Sequence, residues 1–177
     1  FTFEQSAKII SESPIPVDSH LMIADPDDRA HLFAKAGSRS VTFHYEASSN
    51  PLETISKIAD EGARVGVALK PGTPFHEIGS IMEHIDMVLI MTVEPGFGGQ
   101  SFMGDMMDKV KEARREIDER FFGKIWLQVD GGISLETIAE AAQSGADTFV
   151  AGSAVFKSDD PGGMVDELRA LASKSQA

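Results

Sequence analysis

Short apolar, β-branched runs alternate along this chain with amphipathic stretches in which apolar residues recur every three to four positions. The runs predict strands at Ile15 to Leu21, Ser40 to Tyr45, Arg64 to Leu69, Met87 to Thr92, Lys124 to Val129 and Thr148 to Ala151. Between them the longer period predicts helices at Thr2 to Ser11, Pro26 to Ala36, Pro51 to Glu61, Phe75 to Glu83, Asp105 to Arg120, Leu135 to Ser144 and Pro161 to Ser173. Asp25 before Pro26 suits an N-cap, and Gly37, Gly62 and Gly145 suit helix ends. Strict alternation of this kind implies parallel strands joined by right-handed crossovers. Two architectures satisfy it, an open doubly wound sheet and a (β/α)8 barrel.

The chemistry-bearing residues favour the barrel, because they gather at the carboxyl ends of several strands, where barrels place their sites. These ends hold Asp18, Ser19, His20 and Met22, then His44 and Glu46, Lys70 and Pro71, Glu94, Asp130 with Gly131 and Gly132, and Gly152 with Ser153. A complete barrel has eight strands and roughly 200 or more residues. The expectation is therefore one α/β barrel domain over residues 1–177 with six βα units, strands one and two missing at the N-terminal side.

The stretch Met87 to Phe102 organises the rest. Its apolar run suits a strand buried on both faces, and Pro95, which has no amide hydrogen, ends it. Gly96, Gly98 and Gly99 then allow positive φ and close approach of bare N–H groups to an anion. Small residues at two further strand ends, Gly131 with Gly132 and Gly152 with Ser153, suit the same anion, since the last two loops of a barrel form its usual phosphate site. An anion is expected within reach of amides from Gly98 or Gly99, Gly131 or Gly132, and Gly152 or Ser153. Gly131→Val is expected to weaken its binding.

Composition narrows the partners. The chain has 177 residues, 42% hydrophobic and 25% charged, which suits one globular domain with a sizeable core. A net charge of −12 argues against a nucleic-acid surface, so any phosphate site must work locally through backbone amides. There is no cysteine, hence no disulfide framework or thiolate chemistry, and no apolar run long enough to span a membrane. A cytoplasmic protein is expected.

Asp18 and His20 share one face of their strand. The pair could bind a divalent metal, since imidazole and carboxylate suit Zn, Fe(II) or Mn, or it could be a hydrogen-bonded histidine oriented by an aspartate. Asp130 ends its strand before two glycines, a placement that reaches the barrel mouth and is also an ordinary turn signal.

Taken together, these segments resemble the ribulose-phosphate 3-epimerases. Asp18-Ser19-His20-Leu21-Met22 is similar to the family's Asp-x-His-Leu-Met segment, Val93 to Gln100 to its phosphate-loop signature, and Val129-Asp130-Gly131-Gly132 to its catalytic aspartate motif. Thr42 to Ala47, Lys70 to Thr73 and Ala151 to Ala154 match in order and spacing. The resemblance implies an isomerase of the pentose phosphate pathway that interconverts D-ribulose 5-phosphate and D-xylulose 5-phosphate. The C3 proton is removed to give an enediolate and returned to the other face by a second aspartate. It implies Asp130 as catalytic aspartate and metal ligand, and His20 as metal ligand and substrate contact, with Zn, Fe(II), Mn or Co as the cation. It further implies Gly96, Phe97, Gly98, Gly99, Gly131, Gly132, Gly152 and Ser153 as phosphate and substrate contacts, and Met22 and Met91 as the lining of the reacting centre. His44 is expected as an outer-sphere or core residue and Asp18 as an orienting partner. The family's His-x-Asp pair on strand two, which carries two metal ligands and the other catalytic aspartate, has no counterpart here, so the chain alone is expected to be inactive. A related barrel enzyme, an allulose-phosphate epimerase or hexulose-phosphate synthase, and a non-enzymatic sugar-phosphate-binding fragment are the alternatives. Strand edges left open by the missing units lead to an expected homo-oligomer.

Overall fold

A computed structural model describes residues 2–96 and 99–176. Among these, six strands form: β1 (Asp18–Leu21), β2 (Ser40–His44), β3 (Arg64–Leu69), β4 (Met87–Met91), β5 (Trp126–Asp130) and β6 (Thr148–Val150). The helices are α1 (Phe3–Glu12), α2 (Pro26–Lys35), α3 (Pro51–Asp60), α4 (Met107–Phe121), α5 (Ile138–Gln143), α6 (Ser153–Phe156) and α7 (Pro161–Ser175). The strands are hydrogen-bonded in chain order, β1-β2-β3-β4-β5-β6. A doubly wound sheet reverses strand order at a switch point, whereas sequential order is that of the barrel family. The chain therefore has six strand-helix units of the (β/α)8 barrel type.

The chain divides into two compact units, Phe1–Leu69 with His76–Val88, and Lys70–Phe75 with Leu89–Ala177. In the first, β1, β2 and β3 run parallel with Ser40 opposite both Asp18 and Arg64. Every residue of β2 is buried, Val41, Thr42 and Phe43 completely, because helices cover one face and side chains fill the other. Helix α1 starts with a reciprocal cap: Gln5 N–H donates to Thr2 Oγ1 at 3.3 Å and Thr2 N–H to Gln5 Oε1 at 2.9 Å. Phe3 meets Phe33 of α2 edge-on, with centroids 5.3 Å apart.

Asp27, in the first turn of α2, joins that helix to α3. Its carboxylate accepts from the Ser48 hydroxyl, the Ser49 hydroxyl at 2.6 Å, the Ser49 amide at 2.9 Å and the buried Thr54 hydroxyl at 2.7 Å. Partial burial opposes its ionisation more than any other single influence, yet the four donors together outweigh it and hold the carboxyl well below the ordinary carboxylate range. A depressed folded-state pKa contributes stability above the unfolded value, near 3.9, and that contribution is lost as pH falls through the folded value. Asp27→Asn is thus expected to lower the urea midpoint at pH 7, with the gap to the parent protein narrowing below about pH 4. A gap independent of pH would show that the carboxylate's charge is irrelevant.

In the second unit β5 and β6 are parallel, with Asp130 opposite Val150. Helix α4 buries Met107, Val110, Ala113 and Ile117, the stripe that its three-to-four spacing predicts. It stops at Phe122, the one non-glycine among the described residues with positive φ, 54°. A single cap device recurs once in each unit. Asp86 takes the Val65 amide at 2.8 Å on its carboxylate, and Asp147 takes the Leu127 amide at 3.0 Å. In each case an aspartate just before a strand satisfies the amide that opens its neighbour's ladder.

Three segments differ from the sequence pattern. Phe75 to Glu83 is two 3-10 turns, Phe75–Ile78 and Met82–His84, because Gly79 interrupts the run and i to i+3 bonds such as Gly79 N–H to His76 O close instead. The helix expected from Leu135 begins at Ile138, since Ser134 and Thr137 bond each other and Gly132 O first. The first strand starts at Asp18, as Pro14 and Pro16 withhold amides from the ladder before it.

Candidate active site

The second unit assembles most of the sequence-predicted residues. Where β4 and β5 end, Thr92 N–H donates to Asp130 O at 2.8 Å and the fully buried Thr92 hydroxyl donates to Gly131 O at 2.6 Å. Thr92 O in turn accepts the Met103 amide at 2.9 Å, so both stems of the glycine loop are pinned to the β5 end. Across the loop's neck the Gln100 side-chain amide donates to Glu94 O at 2.6 Å. Asp130, half-buried, closes β5, and its register with Val150 puts Gly152 and Ser153 two and three residues beyond its opposite number. The ends of β4, β5 and β6 thus adjoin. Phe97 and Gly98 lie outside the described residues.

Glycine at 131 and 132 has a cause within the protein. Gly131 sits at φ 129° with an added Cβ only 2.6 Å from Val93 Cγ2 and 2.8 Å from Val93 N; Gly132, at φ 67°, would place one 2.7 Å from Phe102 N. Positive φ and close packing exclude any side chain at either position. Gly96 and Gly99 differ: both have positive φ, 129° and 80°, but among the described residues an added Cβ would meet nothing within 4 Å. There the positive φ by itself already favours glycine. Gly152 caps the four-residue α6, and Ser153 opens it, exposed.

In the first unit His20, third in β1, lies against His44 at the end of β2. The two Nε2 atoms are 3.0 Å apart and the rings are stacked, 5.0 Å between centroids and 27° between planes. One ring donates to the other. His44 is buried, and its Nδ1 faces Glu46 at 3.6 Å. The Asp18 carboxylate accepts from Ser40 Oγ at 2.6 Å, so a serine on β2 shares the aspartate expected to orient His20. Met22 is 48% exposed just past β1, whereas Met91, at 1%, is packed into β4. His31, in the middle of α2, is half-buried with its Nδ1 sealed off, while His76 and His84 are exposed.

The sequence reading places Thr92 at a strand end and Val93 at the start of the phosphate-loop segment but gives neither side chain a role. The signal for Thr92 is its place as the single polar residue in an apolar run, where a buried hydroxyl must find an acceptor. His84-Ile85-Asp86 spells a His-x-Asp, but it precedes β4 and its aspartate caps Val65, so it does not serve as the expected strand-two pair.

Each unit carries one donor of a type that suits a divalent cation, the His20 imidazole in the first and the Asp130 carboxylate in the second. Among the described residues no group of three or more His, Asp or Glu side chains could hold a metal ion. Among them, too, no helix is long and apolar enough to cross a membrane.

Comparison with known proteins shows the family. A profile described as the ribulose-phosphate 3 epimerase family matches residues 2–156. The chain is 45% identical over 164 residues to the ribulose-phosphate 3-epimerase of Mycobacterium leprae, covering 93% of this chain and 73% of that protein. To the enzyme of that name from Escherichia coli it is 43% identical over 159 residues, covering 90% and 70%. Among solved structures, a 3-hexulose-6-phosphate synthase from Salmonella typhimurium superposes with a TM-score of 0.74 at 21% identity, covering 98% of this chain and 81% of the other. A KGPDC from Streptococcus mutans gives 0.74 at 16%, covering 98% and 80%. At those identities the likeness concerns the fold. By sequence and fold, the chain belongs to the ribulose-phosphate 3-epimerases, a family of isomerases.

Proposed function

We propose that this chain carries the sugar-phosphate site and one of the two acid-base groups of an epimerase interconverting D-ribulose 5-phosphate and D-xylulose 5-phosphate. The observation that carries this reading is the junction at Thr92, which fixes the backbone at Asp130 and Gly131 to the stems of the glycine loop. A phosphate received by the amides of Gly96 to Gly99, Gly131 or Gly132, and Gly152 or Ser153 would direct the sugar carbons toward Asp130. Met91, buried at the end of β4, suits a wall that keeps water from the reacting carbon, a role that the family resemblance also implies for Phe97 and Met22.

Asp130 takes the C3 proton from one epimer or gives it to the enediolate that forms the other, while a second carboxylate acts on the opposite face. The chemistry therefore has two macroscopic steps and one shared intermediate, and Asp130 alone completes half of it. A divalent cation, when bound, would stabilise the negative charge on the enediolate oxygens. His20 and Asp130 are the donors of suitable type in this chain, too few for a complete shell, and no step here depends on them in that role. We also infer a cytoplasmic homo-oligomer, supported by the absence of cysteine and by β6, half-buried along its whole length while β4 is fully buried.

Solvent-deuterium incorporation at C3 of D-ribulose 5-phosphate tests the reading. The 177-residue chain is expected not to epimerise the sugar on its own, whatever deuterium it incorporates with retention, and a polypeptide that adds the family's strand-two His-x-Asp is expected to exchange and epimerise. Turnover of hexulose phosphates in preference to ribulose 5-phosphate by that polypeptide would reject it. So would epimerase turnover by the 177-residue chain, which would remove the need for a second base.

A further inference from the structure

Lys109 is the third residue of α4, the helix that follows the glycine loop. Its Nζ donates to three backbone carbonyls of one short turn, Lys70 O at 3.0 Å, Pro71 O at 2.7 Å and Thr73 O at 2.7 Å. An ammonium has three N–H donors, and three carbonyl acceptors of this turn lie within 3.0 Å of it. The acceptors come from four consecutive positions, 70 to 73, and the turn is closed by Thr73 N–H donating to Lys70 O at 3.1 Å. Three carbonyl oxygens aimed at one point repel one another unless a positive charge stands between them. Backbone carbonyl oxygens are also the ligands with which selectivity filters hold bare monovalent cations.

We propose that the carbonyls of Lys70, Pro71 and Thr73 form a monovalent-cation cage whose resident ion is the tethered ammonium of Lys109, and that vacating it creates a site for free potassium or ammonium. Lys109 is a positioning residue. Through it, one charge fixes the turn at residues 70 to 73 to the first turn of α4, and so to the helix that anchors the C-terminal stem of the glycine loop. Tethering explains why a lysine suits the position: its ammonium is a compact charge on a flexible stem, whereas the planar, forked guanidinium of arginine would not present three convergent donors to one turn. The cage does not depend on the epimerase reading, and its test needs no turnover.

Amide hydrogen exchange at Thr73, whose N–H closes the turn, reads the cage directly. In Lys109→Ala, and in Lys109→Met, which keeps the apolar stem, exchange at Thr73 in choline chloride is expected to rise roughly tenfold to a hundredfold, the scale of a lost charge-assisted bond. Potassium chloride or ammonium chloride at the same ionic strength is expected to restore most of the protection, and lithium chloride is not. The parent protein is expected to show the same Thr73 exchange in all four salts, and amides of Val110 and Ala113 in α4 are expected to stay protected throughout. Unchanged Thr73 exchange in choline chloride would show that the turn needs no cation. Faster exchange that no ion reverses, or unfolding of both variants in every salt, would show that the carbonyls do not form a cage without the lysine stem. Either result overturns the proposal.

Discussion

Asp130→Asn is expected to reduce C3 proton exchange by about a hundredfold to ten-thousandfold, the usual worth of a positioned acid-base group, in a polypeptide that also has the second carboxylate. The substitution is nearly isosteric, and the backbone carbonyl at 130 still accepts the Thr92 amide, so the junction and the fold are retained. What changes is the chemistry, since an amide neither takes nor returns a proton at neutral pH. His20→Asn provides the contrast. It leaves Asp130 intact but removes the imidazole paired with His44, and its expected defect is in the affinity for added Zn²⁺ or Mn²⁺, with part of the rate recovered at excess metal. Equal recovery of both variants by metal would remove the distinction between a proton carrier and a ligand. Exchange at the parent rate in Asp130→Asn would remove Asp130 from the mechanism.

Gly131→Ala is expected to be the most damaging small substitution in the second unit. A left-handed backbone costs an L-residue about 1–2 kcal/mol, and forcing a methyl into packed space costs about 1–3 kcal/mol more. The total, roughly 2–5 kcal/mol, is a large share of a domain's ordinary 5–15 kcal/mol. The clash includes the Val93 backbone nitrogen at 2.8 Å, which cannot swing aside as a side-chain tip could. Urea denaturation should show the midpoint falling with little change in slope, and the folded fraction should bind inorganic phosphate with affinity close to the parent's. If stability is instead unchanged while phosphate binding weakens, Gly131 is selected by a ligand rather than by Val93. That outcome would bear out the expectation drawn from sequence for Gly131→Val.

Hydrophobic periodicity and turn residues were enough to place all six strands, because burial on both faces forces the continuous apolar runs seen in Val65–Leu69 and Met87–Met91. Strand ends rich in glycine and aspartate were legible for the same local reason: a chain leaving a buried strand must turn, and the residues able to do so are few. Alternation of strand and helix alone fits two topologies; the gathering of chemistry-bearing residues at strand ends pointed to the barrel, and the sequential pairing of the strands bears that out. The helix expected over Phe75 to Glu83 failed because periodicity describes a face, not the hydrogen bonds beneath it, and Gly79 tips the balance to i to i+3 closure. Tertiary structure alone decided the pairing of His20 with His44, 24 positions apart, and the convergence of Lys109 on a turn 36 to 39 positions upstream. It alone shows, too, that Gly131 and Gly132 are glycine because Val93 and Phe102 leave no room. Each of these depends on where two distant backbones come to lie, and no pattern within a single segment specifies that distance.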